Sequence, residues 1–233
     1  MKLTYCIPTW NEASELKILL KILIDNIDFN DTILIQGHQG KITDDVIRVI
    51  RAVMSDPRIK YIEYPLNDNF GQYKNNLILQ SDHDTDYCFF IDADEVIPPV
   101  LLQSIKTIIE ENKDLDDNYI DAFIVPRLNI VHDITPEYIQ KSGWVSTQID
   151  ITGNLILKNI YCIADDIITC INPFDPQWRI FKRNNSIRYE GNVHERLIGF
   201  RTFGQLPNQF DYMIHHVKSF DRQQKQNNLY DRL

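Results

Sequence analysis

The chain has 233 residues, with 33 acidic side chains against 24 basic ones and a formal net charge of −9. That balance argues against a nucleic-acid partner, because affinity for a phosphate backbone rests on clustered Lys and Arg. Hydrophobic residues at 43% and charged ones at 24% are globular rather than disordered values, and the length suits one large domain that folds without staples.

The first half alternates strand and helix signals. Residues 3–7 form a short apolar run that ends at Pro8 and predicts a buried strand. Residues 12–24 then place Leu16, Leu19, Leu20, Leu23 and Ile24 at helical spacing. Strands are predicted over 32–35, 58–64 and 87–91, and helices over 44–54, 71–79 and 98–109, the last with proline in its first turn. The run YCFFI at 87–91 is wholly apolar or aromatic, as expected of a strand covered on both faces.

Such repeats imply right-handed crossovers and an α/β, doubly wound, mostly parallel central sheet of Rossmann-like type. Ligands then sit outside the carboxyl ends of the strands, which directs attention to residues 8–12, 36–40, 65–71 and 92–95. Beyond about residue 115 the pattern changes to a smaller mixed β region, with strand-like pieces at 122–126, 155–163, 178–182, 186–189 and 210–217. The polar tail from Ser219 reads as a helix. No repeat or low-complexity linker divides the chain, so residues 1–233 are read as one domain, about 1–115 nucleotide-binding and about 116–233 more variable.

No run nears the roughly 18 apolar residues that span a bilayer, and the opening MKLTYCIPTWNEASELK lacks the features of a secretory signal. Cys6, Cys88, Cys162 and Cys170 are scattered without zinc-ligand spacing. Buried free thiols and a reducing, cytoplasmic location are expected.

The sharpest feature is Asp92-Ala93-Asp94-Glu95, directly after YCFFI. Two carboxylates one residue apart at a strand end can share a divalent cation, and Mg²⁺ or Mn²⁺ often takes only one or two protein carboxylates beside phosphate and water. Spacing alone is weak evidence, because Asp82/Asp84, Asp84/Asp86 and Asp114/Asp116 show it too. Those three lie in polar, loop-like sequence and read as surface acids. The bland alternative for Asp94 and Glu95 is capping of the helix that starts near Pro98.

Taken together, IPTWNE at 7–12, NFGQYKNN at 69–76 and FFIDADE at 89–95 resemble the family two glycosyltransferases, which have the GT-A fold. The segment WRIFKRNNSIRYEGNVHERL at 178–197 and the closing HHVK at 215–218 resemble the branch that includes lipopolysaccharide-core transferases, in its Gly-x-Val-His-Glu segment. The resemblance implies a metal-dependent, inverting transfer of a sugar from a nucleoside-diphosphate sugar, UDP-sugar favoured, to a hydroxyl of a glycan or other acceptor. By position, Pro8, Thr9, Asn11 and Glu12 would line the base and ribose pocket, with Lys74, Ala93 and Lys218 also on the donor side. Asp92 would contact ribose or metal-bound water, and Asp94 would ligate Mn²⁺ or Mg²⁺ and the diphosphate.

A late histidine would complete the metal site. Alternation along a strand lets only one of His215 and His216 reach it, and His216 is preferred. The chain departs from the family after the second strand, where Gln36, Gly37 and His38 replace the usual acid. Gln36 could still offer an amide to a pyrimidine, but uridine selection is weakened. Glu195 is the candidate general base by motif match, His194 could orient it or contact the donor, and Glu190, Asp175 and Asp150 are rivals. A bland reading pairs Glu195 with Arg196 or Arg201. Trp178 and Arg179 are further candidates for either substrate. A sugar-phosphate nucleotidyltransferase is the first alternative, though residues 8–12 lack its glycine-rich basic loop. A non-catalytic nucleotide-sugar or glycan-binding relative is the second.

Overall fold

The computed structural model describes residues 1–153, 158 and 166–220. Strands β1 (Leu3–Thr9), β2 (Thr32–His38), β3 (Ile59–Tyr64) and β4 (Tyr87–Phe90) alternate with helices α1 (Ala13–Asn26), α2 (Asp44–Val53) and α3 (Phe70–Gln80). The strands are parallel in the order β3-β2-β1-β4. The short strand β5 (Glu95–Val96) follows, and then α4 (Pro99–Glu111).

Apolar residues on both faces of these strands give two cores. Leu3, Tyr5, Ile7, Tyr87 and Phe89 pack with Leu16, Leu19, Leu20, Leu101 and Ile105 from α1 and α4. Cys6, Leu34, Cys88 and Phe90 point the other way, onto Leu77 and Ile78 of α3 and onto Tyr189 and Leu197. The continuous apolar runs therefore reflect a sheet covered on both sides. Cys6, Cys88 and Cys170 are buried free thiols, and Cys162 lies outside the described residues.

The second half contributes β6 (Ala122–His132), α5 (Pro136–Lys141), β7 (Ser146–Asp150), β8 (Ile167–Lys182), β9 (Arg188–Glu190), β10 (Arg196–Ile198), β11 (Phe203–Gln205) and β12 (Ile214–Ser219). Here the structure refines the expectation of a smaller, mixed β region. Most of these strands extend the same sheet, which continues β4-β8-β6-β12-β5 with β11 and β7 at its side, while β9 and β10 form a small hairpin. Strand β8 is antiparallel to β4 and β6, whereas β12 is parallel to β6 and antiparallel to β5.

Residues 210–217 begin with a 3₁₀ turn, Phe210–Tyr212, before β12 starts. Pro173 and Pro176 broke the sequence signal of β8. The strand accommodates them in an irregular stretch, where its register with β6 shifts between Arg127 and Asn129 and where Asn172 and Phe174 take positive φ of 45° and 62°. The strand expected over 155–163 lies outside the described residues, Lys158 excepted, as does the tail helix beyond Phe220. Among the described residues, no helix is long and apolar enough to cross a membrane.

Candidate active site

Four strand ends converge on one cavity of about 760 Å³. After β4 the chain turns tightly at Asp92–Glu95. The Asp92 amide donates to Glu95 Oε2 at 2.9 Å, and the Glu95 amide donates back to the Asp92 carbonyl at 2.9 Å. The turn leads straight into β5, whose Glu95 and Val96 pair with His216 and His215 of β12. This two-residue strand carries almost no sequence signal, yet it pairs residues about 120 positions apart. His216 Nε2 lies 3.1 Å from Asp94 Oδ2, and His216 Nδ1 lies 3.2 Å from Asn129 Oδ1. Lys218 Nζ stands 3.9 Å from the same Asp94 oxygen.

Neighbouring histidines part as strand alternation requires. His216 lines the cavity, whereas His215 packs against Phe210 with its Nε2 at 3.1 Å from the Phe210 carbonyl oxygen. Burial pushes the His215 pKa down to about 4, against a smaller opposing effect of that hydrogen bond.

Glu95 is completely buried and does not cap α4, whose N-cap residue Pro98 has no side-chain partner. Instead it anchors a chain of charges. Arg179, itself 2% exposed, donates from Nη2 to Asp92 Oδ2 at 2.8 Å and to Glu95 Oε1 at 2.6 Å. Arg127 donates to Glu95 Oε1 at 3.2 Å and to Asp175 Oδ2 at 2.6 Å. Burial works against ionisation of Asp92, but the charges of Arg179, Lys74 and Arg127 outweigh it and hold the carboxyl well below the usual range. Asp94 is likewise held low, with burial opposed by the His216 ring and by Lys218.

Across the cavity, Glu195 pairs with Lys74 of α3, not with Arg196 or Arg201. Lys74 Nζ also sits 5.1 Å over the Tyr189 ring. The loop that carries Glu195 is docked by backbone. The amides of Phe70 and Gly71 donate to the Asn192 and Gly191 carbonyls at 2.9 and 3.1 Å, and a Cβ on Gly71 would meet the Gly191 oxygen at 2.5 Å. His194 adopts φ 54° in this loop and lines the cavity.

The structure brings Pro8, Thr9, Glu12, Lys74, Asp92, Ala93, Asp94, His194, Glu195, His216 and Lys218 into the cavity wall. Two donor-side expectations are not met. Asn11 is exposed and outside the wall. Gln36 is fully buried, and its amide is spent inside, donating to the Tyr73 carbonyl at 2.7 Å and accepting from Asn76 at 2.8 Å. His38, two residues on, lines the wall in its place and stacks on Trp10 with ring centroids 5.3 Å apart. Glu12 accepts from the Trp10 and Asn11 amides at 2.8 and 3.0 Å and so shapes the loop. Of the rival bases, Asp175 lines the cavity, Glu190 is exposed outside its wall, and Asp150 accepts from the Thr152 amide at the surface.

The other Asp-x-Asp pairs lie elsewhere. Asp82 and Asp84 bind Lys2, and Asp114 closes its own turn through the Asp116 and Asn118 amides.

A family model for glycosyl transferase family 2 matches residues 4–160. The chain belongs to that family. The glycosyl transferase family 2 match takes in the strand ends that carry Pro8, Asp92 and Asp94 and helix α3 with Lys74, and stops before Arg179, Glu195 and His216. No curated protein matches the sequence. Among solved structures, residues 1–349 of S. aureus TarS in complex with UDP-GlcNAc are similar at TM-score 0.62 and 13% identity, over 94% of this chain and 59% of that one. A structure of S. aureus TarS is similar at TM-score 0.58 and 13% identity, over 94% of this chain and 37% of that one. The family 2 chain thus spans less than two thirds of the length of these neighbours, which share its GT-A-like α/β fold.

Among the described residues, no group of three or more His, Cys, Asp or Glu could by itself enclose a metal ion. Asp94 and His216 still fit a cation that keeps open positions, since a carboxylate oxygen and a ring nitrogen converge with a second partner fixing the ring. Asp92 is turned to Arg179 instead, and its hydrogen bonds reach neither Asp94 nor His216.

Proposed function

We propose that the protein is a metal-dependent, inverting glycosyltransferase that moves a sugar from a nucleoside-diphosphate sugar to an acceptor hydroxyl. The observation that carries this is the meeting of Asp94 and His216 at the carboxyl ends of the strands, 3.1 Å apart. Asp94 and His216 would hold Mn²⁺ or Mg²⁺, which takes its remaining positions from diphosphate and water. When bound, the cation neutralises charge on the leaving nucleoside diphosphate.

The need for added positive charge follows from the cavity wall. It presents five carboxylates (Glu12, Asp92, Asp94, Asp175, Glu195) and five cations (Lys74, Arg127, Arg179, Arg196, Lys218). Four of those cations already face carboxylates. An entering diphosphate therefore meets no ready surplus of positive charge.

The nucleoside end would lie along Pro8, Thr9, Trp10 and His38, with base contacts from the stacked Trp10 and His38 rather than from Gln36. Uridine sugars are the first donors to try, since S. aureus TarS of similar fold is seen with UDP-GlcNAc. Glu195 takes the acceptor proton in this reading, and Lys74 holds the carboxylate in place until the acceptor arrives. His194, next in sequence, shapes the same wall. The Gly191–Glu195 loop is also what we read as the mark of the lipopolysaccharide-core-type branch. A loop of Pro8 to Glu12 closed around a carboxylate, not around glycines, disfavours nucleotidyl transfer from a triphosphate.

The test is thermal stabilisation by nucleoside diphosphates with and without Mn²⁺, alongside slow donor hydrolysis. Stabilisation should require the cation and vanish in Asp94→Asn. Equal stabilisation without metal would overturn the proposal.

A further inference from the structure

The same cavity is walled at one side by the α5–β7 loop and the irregular stretch of β8. There Trp144 is half-buried and lines the cavity. Its placement is built from both sides. Its amide donates to the Ile139 carbonyl at 3.1 Å, and its ring meets Tyr138 in a T-shaped contact with centroids 5.7 Å apart at 71°. On the other side the next residue is clamped to β8. The Asn172 amide donates to the Val145 carbonyl at 2.7 Å, and the Val145 amide donates to Asn172 Oδ1 at 3.0 Å. Asn172 reaches this position through its positive φ of 45°. Backbone of this kind is held where the surroundings over-determine it, and it clusters at ligand clamps.

Polar groups suited to hydroxyls line the same cavity as the indole. Asp175 accepts from Gln177 at 2.9 Å and from Arg127, and both Gln177 and Asn172 line the cavity. An aromatic face flanked by a carboxylate and amides matches a pyranose, which offers an apolar C–H face and a rim of hydroxyls. Charge narrows the ligand further. Arg127 is committed to Asp175 and Glu95, and Lys218, which reaches the same cavity from β12, faces Asp94. A phosphate-bearing acceptor would need a cation to meet it, and would instead face Asp175.

We infer that this end of the cavity is an acceptor subsite for a neutral pyranose, with Trp144 as its stacking platform. The inference rests on the glycosyltransferase reading for its catalytic meaning, but the binding it predicts can be measured alone. Saturation-transfer NMR on the full chain would compare methyl pyranosides with glycerol phosphate and ribitol phosphate. Transfer from the donor that the chain hydrolyses would then be measured to the same compounds.

At least one methyl pyranoside should bind and accept sugar, with the polyol phosphates inactive. Trp144→Ala should raise the acceptor KM about tenfold, the scale of one lost stacking contact, with a smaller change in kcat. Trp144→Phe should recover most of that loss. If Trp144→Ala does not fold, Trp144→Leu, which keeps apolar bulk without a ring, carries the same test. Preference for a polyol phosphate, no binding of any pyranoside, or an unchanged KM in the folded variant would each overturn the inference. Pyranoside binding without donor hydrolysis under any nucleotide would sink the transferase reading and leave the sugar subsite standing.

Discussion

Arg179 is the side chain on which the site's electrostatics turn, and its removal should be felt first in stability. It is 2% exposed and bridges Asp92 at 2.8 Å and Glu95 at 2.6 Å, with Glu95 fully buried. Arg179→Met keeps much of the volume but takes the ion-pair partner from Asp92 and leaves Glu95 only the longer contact with Arg127 at 3.2 Å. Breaking a buried pair by removing one partner costs about 3–5 kcal/mol. For a chain of this size that is a fall in Tm of about 6–20 °C, at about 2–4 °C per kcal/mol. Thermal and urea unfolding at pH 7 would measure it. The double variant Arg179→Met/Glu95→Gln should lose less than the sum of the singles, because the neutral amide no longer needs the cation. A loss under about 1 kcal/mol for Arg179→Met, or strict additivity, would refute the idea that these charges form one buried network.

Three further outcomes can be checked on the same protein. His215 has its pKa lowered to about 4 by burial, so the unfolded chain binds its proton first, near the ordinary value of about 6.5. Its contribution to stability is therefore complete above about pH 6.5 and falls toward pH 4, by up to about 1.4 kcal/mol per pH unit. Urea midpoints at pH 7, 6 and 5 should drop in the wild type, and less steeply in His215→Phe; parallel curves would remove His215 as the cause. Gly71→Ala drives a methyl against the Gly191 carbonyl and should lower stability by about 1–3 kcal/mol, as overpacking does, with loss of transfer as the Glu195 loop shifts. Unchanged unfolding would mean the loop yields freely. Glu195→Gln should spare metal-linked nucleotide binding and abolish transfer; if turnover survives and Asp175→Asn removes it instead, the base is Asp175.

The parallel half of the fold was legible because its strands are short, mostly apolar runs and the first three are each followed by a helix at 3.6-residue spacing. YCFFI announced β4, and Leu16 to Leu23 announced α1, through local pattern alone. The second half was not, for reasons that are also local. β8 holds two prolines and two positive-φ residues in an 11-to-16-residue pairing with β6, so its alternation breaks where the structure needs a bend. β5 has two residues and no period at all. The acids after β4 were identifiable by place, whereas sequence order could not say how far along β2 the cavity wall begins, and Gln36 lies two residues short of it, under α3. Its neighbour two positions on, His38, shares that face by period and still reaches the cavity, since β2 ends there and the wall begins.

That last contrast says why candidate ligands follow position along a strand more than residue type. Gln36 and His38 have similar hydrogen-bonding ability, yet one is locked under α3 by Tyr73 and Asn76 while the other stacks on Trp10 at the rim. The same holds for Asp92 and Asp94, which sequence treats as a pair. Asp92 is drawn down to Arg179 because the turn aims it at β8, and Asp94 is aimed across at β12, where His216 is set in register by Asn129 of β6 and Glu95 of β5. A shift of β12 by one residue would present His215 or Val217 at that point, since alternate residues face opposite sides. The ladder with β6 and the two-residue strand β5 together select the histidine. Replacing Val96, which pairs with His215 and is 3% exposed, by proline would remove a ladder donor there and should abolish cation-dependent nucleotide stabilisation without touching either proposed ligand. Retained dependence on Mn²⁺ in a folded Val96→Pro protein would show that Asp94 and His216 meet without that register.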